Sequence, residues 1–375
     1  MQTTPHSKVS LYLAMELSNK NWKLAFSNGA RIRKVNVPAG HQEAMREAVR
    51  RSREHFGLPA DTPVRCCYEA GRDGFWIHRF LSREGIENLV VDPASIEVNR
   101  RFRRVKTDRL DAEKLLRMLM RHWAGERTVW KVVHVPSEEQ EDDRRLHREL
   151  ERLQKERTAH LSRTQSLLVM HGIRFRGQLS EPRLRRLRTW SGNPLPPGLH
   201  VELRDELQRT ALLKDQIRAL EKERSRRVKE SATPSDAKVA KLLQLRGIGP
   251  VSSWLLVKEF FAWRNFRNRR EVGASAGLTG SPYASGEESR DLGISKAGNR
   301  RVRWIMIEIA WKWLMFQPQS ELSLWFWKRF GYGSKRMRRV GIVALARKLL
   351  IALWKYIEQD ELPAGAVLSP RRNTA

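Results

Sequence analysis

The chain has 375 residues, of which 40% are hydrophobic, and its formal net charge at pH 7 is +30. This hydrophobic content supports packed cores and excludes a wholly disordered chain. The charge favours a polyanionic partner, because Lys and Arg side chains bind phosphates and release their counterions. No apolar run approaches the roughly 18 residues of a membrane helix, so we expect no membrane-spanning segment.

The N-terminal sequence and the cysteines both indicate a reducing cytoplasm. Residues 1–10 lack the apolar core of a secretory signal. The only two cysteines, Cys66 and Cys67, are adjacent, so they can form neither a disulfide framework nor a zinc site. We therefore expect a cytoplasmic protein.

The first part of the chain, residues 1–135, alternates between strand patterns and helical patterns. Apolar runs predict strands at 9–15, 22–26, 31–37, 63–68 and 87–92. Amphipathic patterns predict helices at 41–55, 74–84 and 107–123. Asn28-Gly29 indicates a hairpin between the second and third strands. Strands that alternate with helices after an opening hairpin predict an α/β domain.

The remainder of the chain is predominantly helical. Residues 136–237 hold two charged helical runs with leucines at heptad-like spacing, 137–171 and 200–230. They predict either a helical hairpin on the surface of one chain or a coiled coil between chains. Residues 238–362 predict a third, mostly helical domain that ends in a long helix, 339–358. The tail, 363–375, is predicted to be disordered.

Four carboxylates stand out against the basic background. Glu16 and Glu69 each end a predicted strand, and Asp108 and Asp111 lie three residues apart at the start of a predicted helix. Carboxylates near a phosphate backbone need a mediating cation, and Mg²⁺ is the usual one. The four acids therefore predict a metal site for phosphoryl transfer. The alternative for Asp108 and Asp111 is a favourable interaction with the helix dipole.

Basic residues immediately precede and accompany the aspartate pair. We predict that they hold the phosphates: Arg100, Arg101, Arg103, Arg104, Lys106 and Arg109.

A glycine-containing turn joins two apolar helical segments at 242–260, LLQLRGIGPVSSWLLVKEF. Gly247 and Gly249 match the helix–hairpin–helix turn, in which backbone N–H groups bind a phosphate without reading base sequence. An ordinary corner between two helices is the alternative.

A glycine- and serine-rich loop, 277–308, precedes another basic cluster. Its basic and polar members predict nucleic-acid contacts: Lys296, Asn299, Arg300, Arg301 and Arg303. Ser285 offers a hydroxyl in this loop, and Arg or Lys could stabilise the charge that develops when it attacks a phosphate. Tyr283 and Ser281 are competing hydroxyls, and a serine in such a loop is often only a turn residue.

In the order of its motifs, the chain resembles transposases of the insertion-sequence one-ten family, the bridge-RNA-guided serine recombinases with an acidic DEDD domain. The resemblance covers nearly the whole length. The motifs that carry it are the strand-end acid Glu16, YEAGRDGFWIHRFL, RRVKTDRLDAEKL, LRGIGPVSSWLL, AGLTGSPYASG, GISKAGNRRVRW and VALARKLL.

The resemblance implies three domains. They are a ribonuclease H-like α/β domain related to Holliday-junction resolvases (1–135), a central helical coiled coil (136–237) and a mostly helical transposase domain (238–362). It implies that Ser285 forms a covalent phosphoserine with DNA, while Glu16, Glu69, Asp108 and Asp111 hold Mg²⁺ or Mn²⁺.

The resemblance also implies the partners. These are a structured non-coding bridge RNA, donor and target double-stranded DNA, and further copies of the chain in a dimer or a synaptic tetramer. It implies a nucleoid-associated location in a bacterial cytoplasm.

One residue departs from the family pattern. The first acidic position is usually Asp, whereas this chain has Glu16, and its first aspartate is Asp61. Two alternatives to the recombinase remain from the residues themselves. The first is a metal-dependent junction nuclease that uses water as its nucleophile. The second is a non-catalytic RNA- or DNA-binding protein.

Overall fold

The computed structural model of the chain describes residues 9–96, 108–175, 177, 179–285 and 288–369. The internal contacts divide the chain into two compact units, Met1–Pro136 and Ser137–Ala375. The first unit is mixed α/β and the second is mostly helical, which confirms the predicted order of an α/β part followed by helical parts. The finer division of the second unit at 237/238 stays a prediction.

The first unit contains a five-stranded sheet with helices on both faces. Its strands are β1 (Leu11–Glu16), β2 (Asn21–Ser27), β3 (Ile32–Pro38), β4 (Val64–Glu69) and β5 (Glu87–Val91). Its described helices are α1 (Gln42–Phe56), α2 (Trp76–Arg83), a 3₁₀ turn (Pro93–Ser95) and α3 (Asp108–Trp123). The strand order is β3-β2-β1-β4-β5. β2 pairs antiparallel with β1 and β3, and β1 pairs parallel with β4, so the predicted hairpin and the strand–helix alternation are both confirmed.

Alternating residues of the central strands face two different cores. Leu13 and Cys66 pack under α1 and α2, whereas Ala14, Ala25 and Cys67 pack under α3. The residues on the α3 side are small, which lets this helix lie close to the sheet. Burial raises the pKa of both cysteine thiols well above the usual range, because the thiolate would be desolvated.

The second unit contains ten α-helices among its described residues and one two-stranded hairpin. The helices are α4 (Glu138–Asp142), α5 (Arg145–Met170), α6 (Glu181–Arg186), α7 (Pro197–Glu230), α8 (Pro234–Leu243), α9 (Pro250–Leu256), α10 (Arg269–Ser275), α11 (Arg300–Phe316), α12 (Glu321–Phe330) and α13 (Lys335–Gln359). A π-helical turn (Val257–Phe261) continues α9. The strands are β6 (Gly280–Ser285) and β7 (Glu288–Ile294).

The two long helices α5 and α7 pack against each other. Leu150, Leu153, Leu213 and Ile217 form their shared apolar core. The buried carboxylate of Glu206 on α7 accepts a hydrogen bond from His160 of α5 at 2.6 Å. The structure therefore places a helix pair where leucine spacing predicted one. Association between chains stays a prediction.

Two buried ion clusters join α5 and the preceding loop to the C-terminal helices. The Lys258 ammonium donates to Asp143, Asp236 and Ser235 at 2.6–2.7 Å. The adjacent Glu259 accepts from His147 at 2.8 Å and from Arg148 at 2.7 Å. Both clusters use residues of the π-helical turn, which thereby fixes the helix pair to the core of this unit.

The stretch after the α13 helix differs from its prediction. The sequence predicts disorder from residue 363, yet described residues up to Ser369 are hydrogen-bonded to the second unit. Arg246 N–H donates to Val367 O at 3.2 Å, and Ser369 N–H donates to Gln244 O at 2.6 Å. This segment is ordered because its backbone pairs with the loop after α8. Residues 370–375 lie outside the described residues.

In the described part of the chain, no helix is both long enough and apolar enough to cross a bilayer.

Candidate functional site

Glu16 and Glu69 occupy matching positions at the carboxyl ends of two neighbouring parallel strands. The register pairs Met15 of β1 with Tyr68 of β4, so the two glutamates follow one residue later. Side chains alternate along a strand, so Glu16 lies on the same face as Ala14 and Glu69 on the same face as Cys67. That face is covered by α3. The charge of Glu69 adds to burial in raising the pKa of the Cys67 thiol, which agrees with this placement.

The direction of α3 brings its first turn towards the same strand ends. The Arg65 guanidinium lies 4.1 Å from the ring centre of Trp123, near the end of α3. Two residues further along β4, the Cys67 sulfur lies 3.9 Å from the carbonyl oxygen of Leu115. The helix therefore runs antiparallel to β4, and its N-terminus approaches the strand end that carries Glu69.

Simple lengths place the aspartate pair beside the glutamates. From Cys67 to Glu69 the strand advances about 7 Å. From Leu115 back to Asp111 the helix advances about 6 Å, and one further turn reaches Asp108. The backbone thus brings all four predicted acids to one edge of the sheet, while the side chains of Asp108 and Asp111 lie outside the described part of the chain.

The residue types at this edge suit a hard divalent cation. Carboxylate oxygens are the donors that Mg²⁺ and Mn²⁺ take in proteins, and two acids on strand ends with two on a helix can surround an ion. Among the side chains that the structure describes, no group of three or more His, Cys, Asp and Glu residues is arranged around a metal position. Of the four predicted metal ligands, Glu16 and Glu69 have described side chains, and they supply two carboxylates.

The predicted phosphate-binding cluster before α3 falls mostly outside the described residues. Arg100, Arg101, Arg103, Arg104 and Lys106 lie there, and only the backbone of Arg109, in the first turn of α3, is described.

Ser285 ends β6 at the tip of a β-hairpin. Its register partner is Glu288, the first residue of β7, so a two-residue connection closes the hairpin. The connecting residues 286 and 287 lie outside the described residues, as do the side chains of Tyr283 and Ser285. Ser281, the third candidate hydroxyl, lies at the other end of β6 and is half-buried. The backbone therefore separates Ser285 from Ser281 by about 14 Å along the strand.

The base of the hairpin is closed by two glycines with positive φ, Gly277 (+66°) and Gly298 (+127°). A Cβ at Gly277 would lie 2.5 Å from Ala297 O, and one at Gly298 would lie 2.3 Å from Ser275 O. Only glycine permits this approach. The two arms of the base are therefore held together by backbone contact, and the serine lies at the far end.

Three predicted nucleic-acid contacts near this base have partners within the protein. Asn299 caps α11 by accepting from the N–H groups of Arg301 and Val302. Arg303 donates to Ala276 O at 3.2 Å and Lys296 O at 3.0 Å, which fixes the loop. Arg301 donates to Glu151 of α5 at 2.8 Å.

Two other predicted contacts at this base, Lys296 and Arg300, are exposed. Their ammonium and guanidinium groups are accessible to a ligand.

The predicted helix–hairpin–helix turn lies between α8 and α9, and the two helices pack against each other. Gly247 has φ +89°, and a Cβ there would lie 3.1 Å from Phe316 Cβ. Gly249 directly precedes α9, and a Cβ there would meet no atom within 4 Å. Gly247 is thus required by backbone conformation and packing, whereas the space around Gly249 is open to a ligand.

Sequence reasoning missed one exposed feature of this unit. The chain has thirteen tryptophans, and the composition alone does not place them. Trp304 and Trp311 lie exposed on α11, seven residues apart, between the hairpin base and the Gly247 turn. Their spacing of two helical turns was the signal that could have revealed a shared face.

Comparisons with known proteins agree on one family. Residues 239–323, which include the glycine turn, the hairpin and α11, match the model of the transposase IS116/IS110/IS902 family. The y4rJ protein of Sinorhizobium fredii, whose name places it among transposases, is 41% identical over 96% of this chain and 94% of its own length. A protein of Yersinia enterocolitica named as the transposase for insertion sequence element IS1328 is 28% identical over 66% of this chain and 71% of its own length. The chain therefore belongs to the IS116/IS110/IS902 family of transposases.

Proposed function

We propose that this transposase is a bridge-RNA-guided DNA recombinase of an insertion sequence, with Ser285 as its nucleophile. A ribonuclease H-like first domain would supply the acidic site, and the α5–α7 pair would act as a coiled coil that assembles a dimer or a synaptic tetramer. The observation that carries the proposal is the convergence of Glu16 and Glu69 with the first turn of α3 at one sheet edge.

The chemistry of Ser285 conserves the energy of the phosphodiester. The serine hydroxyl gives its proton to a base, and its oxygen attacks a DNA phosphorus. The bond from phosphorus to the 3′ oxygen breaks, and the leaving oxygen takes a proton to become a free 3′-hydroxyl. A 3′-hydroxyl of the other duplex then attacks the phosphoserine and restores the serine, which exchanges strands between donor and target DNA without hydrolysis.

The four acidic residues would assist this reaction by binding a divalent cation. Glu16, Glu69, Asp108 and Asp111 would hold Mg²⁺ or Mn²⁺, which when bound supplies positive charge for the phosphate oxygens in the transition state. Arg300 and Lys296, which are exposed at the hairpin base, would bind DNA phosphates through their cationic groups.

Guidance by an RNA would assign sequence choice to base pairing. The basic charge of the chain supports binding to a structured RNA and to two duplexes through their phosphates. Pairing of the RNA with donor and target strands would then specify the sites.

The test is a covalent protein–DNA adduct that survives denaturation. The full-length chain, with the RNA encoded beside its gene, is incubated with donor and target DNA and Mg²⁺. The wild type is expected to give a slowly migrating adduct and exchanged strands, and Ser281→Ala is expected to retain both. Ser285→Ala is expected to give neither.

Two results would count against the proposal. Cleavage by Ser285→Ala without an adduct would establish the water-dependent nuclease instead. Exchange by Asp111→Asn at the wild-type rate would remove the acidic site from the mechanism. Glu113→Gln, on the same helix, is the matched control for the second variant.

A further inference from the structure

One side of α11 exposes large apolar side chains in a row. Trp304 is 56% exposed, Trp311 is 44% exposed and Met315 is 72% exposed. Their spacings of seven and four residues place them on one face of the helix. The opposite face, which includes Ile305 and Ile309, is buried in the core. The helix is therefore firmly anchored, and its exposed row marks an interaction surface.

This row connects two places where cationic groups are exposed. At the N-terminal end of α11 lie Arg300 and Lys296, beside the hairpin base. At the C-terminal end, Lys312 is exposed and its carbonyl oxygen lies 3.5 Å from a Cβ built on Gly247. Arg246, also exposed, belongs to the same turn. The 17 residues of α11 span about 25 Å between these two ends.

Positive charge flanks this face at both ends. Glu308 is its one exposed carboxylate among the described residues of α11, and it stands between the two tryptophans. Exposed indole rings flanked by Lys and Arg fit a nucleic-acid strand, because unpaired bases stack on the rings while the cations hold phosphates.

We propose that Trp304, Trp311 and Met315 form a stacking track for an unpaired DNA strand. This inference rests on the proposed function, since strand exchange requires unpaired strands near the serine hairpin. Trp304 and Trp311 lie about 10 Å apart along the helix axis. This distance equals about three base steps at 3.4 Å each, so each ring stacks a separate base of one strand.

The experiment measures binding of labelled single strands to the full-length chain. The probes are oligo-dT and oligo-U of about 12 nucleotides, long enough to cover the track. We expect Trp304→Leu and Trp311→Leu each to weaken affinity about tenfold, because leucine retains apolar area and removes the stacking ring. Trp304→Phe and Trp311→Phe are expected to stay within about threefold of the wild type, since phenylalanine still stacks.

The matched control is Trp327→Leu. Trp327 lies on α12 and, like Trp311, is 44% exposed. Its replacement therefore removes an equally exposed indole ring from outside the track. We expect it to leave affinity unchanged. Equal weakening by Trp327→Leu and Trp311→Leu would overturn the track. We expect both leucine substitutions to weaken binding of oligo-dT at least as much as binding of oligo-U. A loss confined to oligo-U would overturn DNA as the occupant.

Light scattering separates a strand from a second copy of the chain. If Trp311→Leu binds both probes like the wild type and lowers the oligomeric mass, the face is a contact between copies and the inference is wrong. Adduct formation by Ser285 is measured separately. If the track is wrong, Ser285 still forms the adduct. If the serine mechanism is wrong, Trp304→Leu and Trp311→Leu still bind single strands more weakly than the wild type.

Discussion

The ammonium group of Lys258 lies 2.6 Å from a carboxylate oxygen of Asp236, and neither side chain reaches solvent. The same ammonium donates to Asp143, which lies in the loop before α5. Burial raises the pKa of Asp143, but hydrogen bonds from Lys258, Ser235 and Arg227 outweigh it and lower the pKa overall. A single lysine thus holds three segments of the second unit together.

Replacing this lysine should be costly. Lys258→Met leaves the buried Asp236 and the partly buried Asp143 with Arg227 as their remaining cation, and we expect the free energy of unfolding to fall by about 3 kcal/mol. Urea unfolding measures the change. Lys238→Met is the control, because its ion pair with Glu358 is partly exposed. That control should cost less than about 1 kcal/mol. Similar losses in the two variants would refute a special role for the buried cluster.

Glu259 should make stability depend on pH. Burial alone would raise its pKa, but hydrogen bonds from His147 and Arg148 lower it far below the usual value. Its contribution is therefore complete above the unfolded pKa of about 4.3 and is lost as pH falls through the depressed folded value.

The corresponding variant is Glu259→Gln. We expect a loss of about 3 kcal/mol at pH 7, because Arg148 loses its charge partner and the hydrogen bond from His147 no longer reaches a carboxylate. The difference from the wild type should shrink steadily below about pH 4. Urea unfolding at several pH values checks this. A difference that is constant from pH 7 to about pH 2 would contradict the assignment.

Gly277→Ala should damage the base of the serine hairpin. Gly277 and Gly293 both have positive φ, but a Cβ only at Gly277 would strike a backbone oxygen, that of Ala297. Gly293→Ala should therefore cost about 1 kcal/mol from backbone strain alone. Gly277→Ala should cost more and should expose β6 and β7 to hydrogen exchange. Equal protection of β6 and β7 in the two variants would mean that the close approach is unimportant.

Substitutions of Glu16 test whether the acidic site needs this carboxylate and whether it accepts a shorter one. We expect Glu16→Gln to slow strand exchange by about a hundredfold or more, since a charged donor is lost. Glu16→Asp keeps the charge and should retain a greater part of the rate. Exchange assays over a range of Mg²⁺ concentrations measure both. If Glu16→Gln exchanges strands at the wild-type rate, Glu16 is not a metal ligand.

The net charge of +30 should make nucleic-acid binding strongly salt-dependent. If six or more phosphates are neutralised, affinity should fall by about a thousandfold or more between 50 and 200 mM salt. Binding of the RNA at several salt concentrations gives the slope. A flat dependence would mean that few of the Lys and Arg side chains contact phosphates.

The sequence predicted the first unit well because its signals are local. Apolar runs such as LYLAM mark strands that are buried on both faces, and Glu16 and Glu69 were placed by the strands that they end. Convergence of Glu16 and Glu69 then followed from parallel pairing of their strands. The sequence did not predict the direction of α3. That direction depends on the contacts of Arg65 with Trp123 and of Cys67 with Leu115, which are about fifty residues apart in the chain.

The second unit contains features with no local signal. The β6–β7 hairpin was missed because GSPYAS and ESRDLGI are polar and interrupted by Pro and Gly. Burial of Lys258 depends on Asp143, a residue 115 positions away. The roles of Asn299 and Arg303 as cap and loop anchor likewise required their backbone partners to be known.

The position of the two cysteines makes the native chain a convenient host for site-specific probes. Cys66 and Cys67 point into opposite cores, are fully buried, and have pKa values raised by burial, so both thiols react slowly with maleimides. A cysteine introduced at an exposed position such as Tyr332 can therefore carry a fluorophore alone. Energy transfer between labelled copies can then test whether copies of the otherwise unaltered protein associate.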